Sequence, residues 1–175
     1  KATLAGVLSY CGEGISVWEN ARWQQRLGWA TPKPVQFHRL RPRLGALCDI
    51  PDLELFPAHY GVGQRVWFAA ALEVGLAQRA FAMIAWWRAR GLLSHPERLA
   101  GLLHRTGGLF DGLGTPLGGM VVRVRGMDGK GARRHRSWHI AADNDHGPEI
   151  PCMAAIVLAR RLAAGRDHDD PGYAG

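Results

Sequence analysis

Two alternating segments joined by a glycine-containing turn restrict the fold of this chain more than any other feature of the sequence. Apolar residues recur at every second position in Met120–Arg125, and a return strand over Arg134–Ala141 would place Trp138 and Ile140 on one face and His135 and His139 on the other, with Asp128-Gly129 between the two segments. Period-two alternation is typical of strands, and Asp-Gly favours a tight turn between antiparallel partners. The sequence therefore predicts a β-hairpin, so the fold must contain antiparallel sheet.

The outer face of this hairpin carries a set of basic side chains, namely Arg123, Arg125, His135 and His139. Guanidinium and imidazole groups bind carboxylates and phosphates well, which makes this face a candidate anion or substrate site. Basic residues are also common on exposed strands. A solvated face, or a face packed on another domain, is therefore the alternative interpretation.

Helical periodicity marks three further segments. The strongest pattern predicts a helix over Leu76–Leu93, with one apolar face made of Leu76, Ala80, Met83, Ile84 and Trp87. A capping-box sequence at Ser94–Glu97 precedes a second helix, whose predicted buried side is Leu99, Leu102, Leu103 and Thr106. The last helix begins near Pro151 and ends at Gly165, with an apolar side of Ile150, Met153, Ala154, Val157 and Leu158.

Together these elements predict an α+β fold with a mixed, largely antiparallel sheet and helices packed on one face. Residues 1–34 are expected to be irregular or to form a short hairpin, in which Ile15–Trp18 pairs with Arg22–Trp29. Val35–Leu40 alternates like a strand and opens an α+β domain over residues 35–165. Residues 166–175 are expected to form a flexible tail. The start at Lys1 leads us to expect a domain cut from a longer protein.

The composition narrows the classes of partner. The 175 residues suffice for one core, and the net charge of +7 suits an anionic partner or merely solvated faces. The sequence lacks an aromatic–basic pattern of the RNA-recognition type, which does not favour nucleic acid. No apolar run approaches the ~20 residues of a membrane span, so no membrane contact is expected.

Three widely spaced cysteines argue against a disulfide framework and favour a location in the cytoplasm.

Motifs for cofactors and metals are weak. Four Gly-x-Gly pairs, which begin at Gly12, Gly61, Gly112 and Gly129, lack the third glycine of a dinucleotide-binding loop. His135 and His139 would lie roughly 13 Å apart on a strand, too far to share a zinc ion. Glu73 and Asp111 are either functional carboxylates or, more commonly, buried or capping ones. No cofactor or metal is therefore expected in this chain.

Several sequence blocks in order resemble the C-terminal domain of saccharopine dehydrogenase-like oxidoreductases. They are Cys48–Asp52 with Leu55–Pro57, Val66–Phe68 with Leu72-Glu73, Gly118–Val122 with Val124–Gly126, and Trp138-His139 with Gly147–Pro151 and Ala155–Gly165. The resemblance implies an α+β domain that shapes a substrate cleft and forms a homodimer through its sheet. It also implies that NAD or NADP binds a separate N-terminal nucleotide-binding domain, without which this domain is inactive.

Within that resemblance, five residues are candidates for binding substrate, because polar groups on a covered sheet face need partners. They are Arg123, Arg125, Trp138, His139 and Glu149. No catalytic residue is assigned. The alternatives are a basic module that binds nucleic acid or another anion, and a domain that serves only dimerisation.

Overall fold

A computed structural model of the chain describes residues 2–107, 115, 117–144 and 146–165. This part of the chain contains five α-helices and seven β-strands, which confirms the α+β class. Every pair of described strands is antiparallel, and the strands form three small sheets rather than one mixed sheet. The predicted flexible tail at 166–175 and Asp111 lie outside the described residues. The chain divides into two compact units, one of residues 1–36 and 42–115 and the other of residues 37–41 and 116–175.

The described residues of the first unit form four α-helices and five strands. In chain order these are α1 (Ala2–Tyr10), β1 (Gly14–Glu19), β2 (Arg22–Leu27), β3 (Lys33–Val35), β4 (Arg43–Leu47), α2 (Asp52–His59), β5 (Ala69–Ala71), α3 (Gly75–Ala89) and α4 (Ala100–Gly107). A 3₁₀ helix over Pro96–Leu99 leads into α4. The pairing of β1 with β2 confirms the predicted N-terminal hairpin, and β3, β4 and β5 form a three-stranded sheet.

Helix α1 occupies a segment that was predicted to be irregular, and that prediction was wrong. Leu8 on this helix and Cys11 just after it are fully buried against Phe81, Ile84 and other residues of one hydrophobic cluster. Burial of this apolar surface stabilises the helix more than the glycine at Gly6 weakens it. Tertiary contacts therefore decide the structure of this segment.

Helix α3 is confirmed, but its predicted apolar face is buried only in part, at Ile84. Gln78, Phe81, Ile84 and Ala85 point into the core, whereas Leu76 is 59% exposed and Met83 and Trp87 are also exposed. Apolar residues surround most of this helix, so periodicity alone could not select the face that packs. In the same way, Leu102 of α4 is 61% exposed although it was predicted to be buried.

Two other predictions in this unit differ from the structure. The strand predicted over Val35–Leu40 ends at Val35, because the following residues leave the sheet and join the second unit. The capping box at Ser94 does not form: His95 precedes the 3₁₀ helix with no side-chain cap, and its Nδ1 lies 3.0 Å from Glu97 Oε1.

The second unit is built around a long hairpin. Strands β6 (Gly118–Met127) and β7 (Arg133–Ala142) pair along their whole length, which confirms the central prediction. A 3₁₀ helix (Gly147–Cys152) and helix α5 (Met153–Ala163) follow. The predicted apolar side of α5 is not buried in this unit, since none of its residues is buried and only the preceding Ile150 is, at 8% exposure. No helix in the described ranges is long and apolar enough to span a membrane.

Candidate functional site

The register of β6 and β7 sorts their side chains onto two faces of one ribbon. Directly paired residues share a face, and Val121 pairs with His139, Arg123 with Ser137, and Arg125 with His135. We call this the polar face; it extends to Arg133 at the tip, which pairs with Met127. The opposite face, here the Trp138 face, carries Met120, Val122, Val124, Arg134, Arg136, Trp138 and Ile140.

The end of the ribbon opposite its turn, where Gly118 and Gly119 pair with Ala142 and Ala141, is here called its root. Both faces of the root are covered by other residues, and the lack of side chains at the two glycines makes this possible. A Cβ atom on Gly119 would lie 2.6 Å from Leu40 Cδ1, and a Cβ on Gly118 would lie 2.4 Å from the Cα atom of Gly147. Successive residues of a strand point to opposite faces. The segment 37–41 therefore covers the root on the polar face, and the 3₁₀ helix covers it on the Trp138 face.

The segment 37–41 brings a third imidazole, that of His38, to the polar face, beside those of His135 and His139. The ring centroids of His38 and His139 are 6.0 Å apart. The two rings border a recess of about 40 Å³ lined by Phe37–Leu40 and His139–Ala141. A recess of this size is far smaller than the ~300 Å³ of an ordinary ligand pocket. A ligand at this place would therefore rest on the open polar face rather than enter a cavity.

The structure divides the five predicted site residues between the two sides of the ribbon. Arg123, Arg125 and His139 share the polar face, whereas Trp138 lies on the opposite face and is 54% exposed. Glu149 belongs to the 3₁₀ helix that covers the Trp138 face, and its Oε1 lies 2.8 Å from Nδ1 of His146. Three of the five are thus brought together in one place.

Sequence reasoning missed His38 as a member of the polar face. In an extended segment, His38 and Leu40 point to the same side, and the structure directs both toward the ribbon root. The alternation of residues 35–40 indicated that His38 and Leu40 share a side, but not which surface that side covers. It was assigned to a strand of the sheet, so the partner surface could not be identified.

The turn of the ribbon holds its single carboxylate. Asp128 accepts hydrogen bonds at 2.9 Å from the backbone N–H groups of Lys130 and Ala132 and at 2.8 Å from Arg134 Nε. These bonds, the Ala132 bond foremost, lower the pKa of Asp128. The carboxylate therefore stabilises the turn, and its oxygens are already hydrogen-bonded within the ribbon. Arg125, Arg133 and Arg136 form no ion pair with any residue in the described part of the chain.

Glu73, the other candidate carboxylate, lies in the first unit and is held by structural partners. Its Oε1 is 3.1 Å from Arg43 Nη2, and it also accepts a hydrogen bond from the Thr115 hydroxyl. Partial burial acts to raise the pKa of Glu73, but the Thr115 and Arg43 hydrogen bonds and the Arg43 charge together lower it. The carboxylate is therefore ionised and paired, which suits a structural role.

The glycine pairs do not build a phosphate cradle in the described residues. Gly12-x-Gly14 connects α1 to β1, Gly61-x-Gly63 follows α2, and Gly129-x-Gly131 forms the ribbon turn. A dinucleotide loop must follow a strand and open a helix, and none of these three does so. The pair at Gly112 lies outside the described residues. The positions that can be placed thus do not fit NAD or NADP.

Metal and thiol chemistry have few candidates. Within the described residues, no group of three or more His, Cys, Asp or Glu side chains is placed to hold a metal ion. Cys11, Cys48 and Cys152 are free thiols. Burial raises the pKa of Cys11 to about 12, so this thiol stays protonated at neutral pH.

Comparison of the chain with protein-family models, with curated proteins and with solved structures finds no match.

Proposed function

We propose that this chain is the substrate-binding and dimerisation domain of an NAD(P)-dependent oxidoreductase similar to the saccharopine dehydrogenase-like enzymes. The cofactor would bind a nucleotide-binding domain outside this chain, so this domain would not catalyse hydride transfer by itself. The observation that carries the proposal is the two-sided ribbon. Its polar face gathers arginine and histidine, and its opposite face exposes Trp138, Val122 and Val124.

The contact between Gly118 and Gly147 supports the comparison with that enzyme class. Gly118-Gly119 and Gly147–Pro151 are separate blocks of the sequence resemblance, and they pack together with no room for a side chain at Gly118. A backbone contact this close requires glycine. The two blocks are therefore parts of one structural unit.

The polar face is the proposed substrate surface. Arg123, Arg125 and His139 are joined there by His38, which the sequence did not reveal. Arginine forks and imidazoles supply several donors on one side of the ribbon, and such donors orient an anionic group. Glu149, on the other side of the root, would contact only a substrate that reaches around the ribbon end.

The Trp138 face and α5 form the proposed assembly surface. Ile156, Val157, Leu158 and Leu162 of α5 are exposed, and the helix is apolar around most of its circumference. A helix of this kind is normally buried. Each ribbon strand also has one unpaired edge within the described residues, and such an edge can pair with a second copy. We therefore assign Trp138 to dimerisation. The free thiols suit a cytoplasmic location.

Calorimetric titration of the complete gene product with NADH and NADPH tests the proposal. We expect the complete protein to bind one of the two dinucleotides much more tightly than this chain alone does. In the complete protein, Arg125→Gln separates the two possible sites, because a loss of dinucleotide affinity in this variant would place the dinucleotide on the polar face rather than in a separate nucleotide-binding domain. A complete protein that binds no dinucleotide would contradict the oxidoreductase assignment.

A further inference from the structure

The basic charge of this protein is concentrated on the β6–β7 ribbon. Between Gly118 and Ala142 there are six arginine and lysine residues and one acidic residue, Asp128, whereas the net charge of the whole chain is +7. Asp128 is committed to the turn and pairs with Arg134. Arg125 and Arg133 of the polar face form no ion pair with any residue that the structure describes.

The polar face arranges these groups in a row. From the root to the tip, successive pairs on this face contain His139, Arg123, Arg125 with His135, and Arg133. Alternate residues of a strand are about 7 Å apart, so the row is roughly 20 Å long. His38 adds a further imidazole at its root. Like charges at this spacing repel one another, and an anion laid along the row would relieve that repulsion.

The number and spacing of the donors select the kind of anion. A single carboxylate has two oxygens and one charge, so it can engage one arginine fork of the row. A phosphate group carries about two charges and three acceptor oxygens, and linked phosphates extend over several donors. A compound with more than one phosphate therefore matches this face better than a single carboxylate does.

We infer that the polar face of the ribbon binds a phosphate-bearing ligand, with more than one phosphate group aligned along His38, His139, Arg123, Arg125 and Arg133. The identification of this ligand as the substrate rests on the proposed function, whereas binding itself does not. The phosphates belong either to a soluble compound or to a lipid headgroup, and the chemistry of recognition is the same for both.

The test is calorimetric titration of the chain with inorganic phosphate, pyrophosphate and tripolyphosphate at low ionic strength. We expect affinity to rise with the number of phosphates and to fall steeply with added salt. Arg125→Gln and Arg133→Gln should each weaken tripolyphosphate binding by about tenfold, since each removes a charge-assisted contact. Arg136→Gln is the matched control, because it removes the same charge from the Trp138 face and should change the affinity by less than about twofold.

The outcomes separate this inference from its alternatives. Equal weakening by Arg125→Gln and Arg136→Gln would show a response to net charge alone and would overturn the assignment of a face. If the chain does not bind tripolyphosphate, a soluble compound is excluded as the source of the phosphate groups. In that case, vesicles containing a phosphoinositide with two ring phosphates should bind with the same variant pattern. Absence of vesicle binding, or vesicle binding that is equal for all variants, would overturn the inference.

The proposed function fails separately, in the dinucleotide titration of the complete protein. If the complete protein binds no dinucleotide but Arg125→Gln and Arg133→Gln weaken phosphate binding as expected, the polar face is an anion site in a protein that is not an oxidoreductase. If the phosphate titrations fail and dinucleotide binding holds, the enzyme class stands with a different substrate chemistry.

Discussion

A single added methyl group at Gly118 would collide with the backbone of the 3₁₀ helix, because a Cβ there would lie 2.4 Å from the Gly147 Cα atom. Neither backbone can give way as a flexible side chain would. We expect Gly118→Ala to lower the free energy of unfolding of the second unit by about 1–3 kcal/mol. Hydrogen exchange of the backbone amides of β6 and β7 measures the change, because six of the seven tryptophans lie in the first unit and their fluorescence would report that unit instead.

Gly126 in the same strand provides the matched control, since a Cβ there would meet no atom within 4 Å. Gly126→Ala should be neutral or slightly stabilising, because alanine loses less backbone entropy on folding. If both substitutions had the same effect, the close packing of the ribbon root against the 3₁₀ helix would be contradicted.

Glu73 makes the stability of the first unit depend on pH. Burial opposes ionisation of this carboxyl, but the bonds from Thr115 and Arg43 outweigh it and lower its folded-state pKa below the ordinary 4.5. Its contribution to stability is therefore fully present above pH 4.5 and is lost as the pH falls through the folded-state pKa. Glu73→Gln should cost about 1 kcal/mol at pH 7.

Urea titrations of the wild type and Glu73→Gln across the acidic range check this linkage. The difference in unfolding free energy between the two proteins should shrink as the pH falls below 4.5. Glu54→Gln in α2 is the control, because this residue is exposed and should show a small difference. A Glu73→Gln difference that stays constant with pH would contradict the pairing.

At the scale of elements, the β1–β2 hairpin contains a residue in an unfavourable conformation. Asn20 and Ala21 at its turn have φ angles of 56° and 57°. This left-handed region suits asparagine and glycine but costs alanine free energy. Ala21→Gly should therefore raise the free energy of unfolding by about 0.5–1 kcal/mol. Thermal denaturation provides the measurement.

Ala80→Gly in the middle of α3 is the comparison, because the same substitution in a helix should lower stability by about 1 kcal/mol. Opposite signs for the two variants would establish that the Ala21 effect comes from its backbone conformation. A loss of stability at Ala21 would contradict the left-handed turn.

The elements differ in how far their own sequence determined them. The β6–β7 hairpin followed from alternation and an Asp-Gly turn, which are local signals, and the predicted sorting of its residues onto two faces was confirmed, whereas its register comes from the structure. Helix α1 depends on burial of Leu8 against α3, which no local pattern encodes. The packed face of α3 was predicted correctly only at Ile84, for the same reason: a helix that is apolar on most sides does not specify which side its neighbours will cover.

The residues of the candidate site were also predictable only where a local sequence pattern placed them. Arg123, Arg125 and His139 could be grouped from the sequence, since period-two alternation places them on the strands of one hairpin. His38 could not, because its place depends on a chain segment that leaves the first unit and packs on the ribbon. Long-range contacts of this kind arise from packing at Gly119 and Leu40 rather than from any motif.

For the whole molecule, the second unit cannot draw much stability from its own core. Its described residues contain one buried hydrophobic side chain, Ile150, and an isolated two-stranded ribbon is marginally stable in water. The two buried clusters of the chain consist of residues of the first unit. The second unit should therefore gain stability from association, and its stability should rise with protein concentration.

Sedimentation equilibrium over a range of concentrations tests this expectation together with a change in α5. Val157 lies at the middle of the exposed apolar helix, and Val157→Asp would place an unpaired carboxylate in the proposed dimer contact. We expect the variant to raise the dimer dissociation constant at least about tenfold. Leu92→Asp is the control, because it alters a residue of the first unit that is 69% exposed, and it should leave the dimer dissociation constant unchanged.

A wild-type chain that is monomeric at every concentration would contradict dimerisation. Equal effects of the two substitutions on the dissociation constant would exclude α5 as the dimer contact.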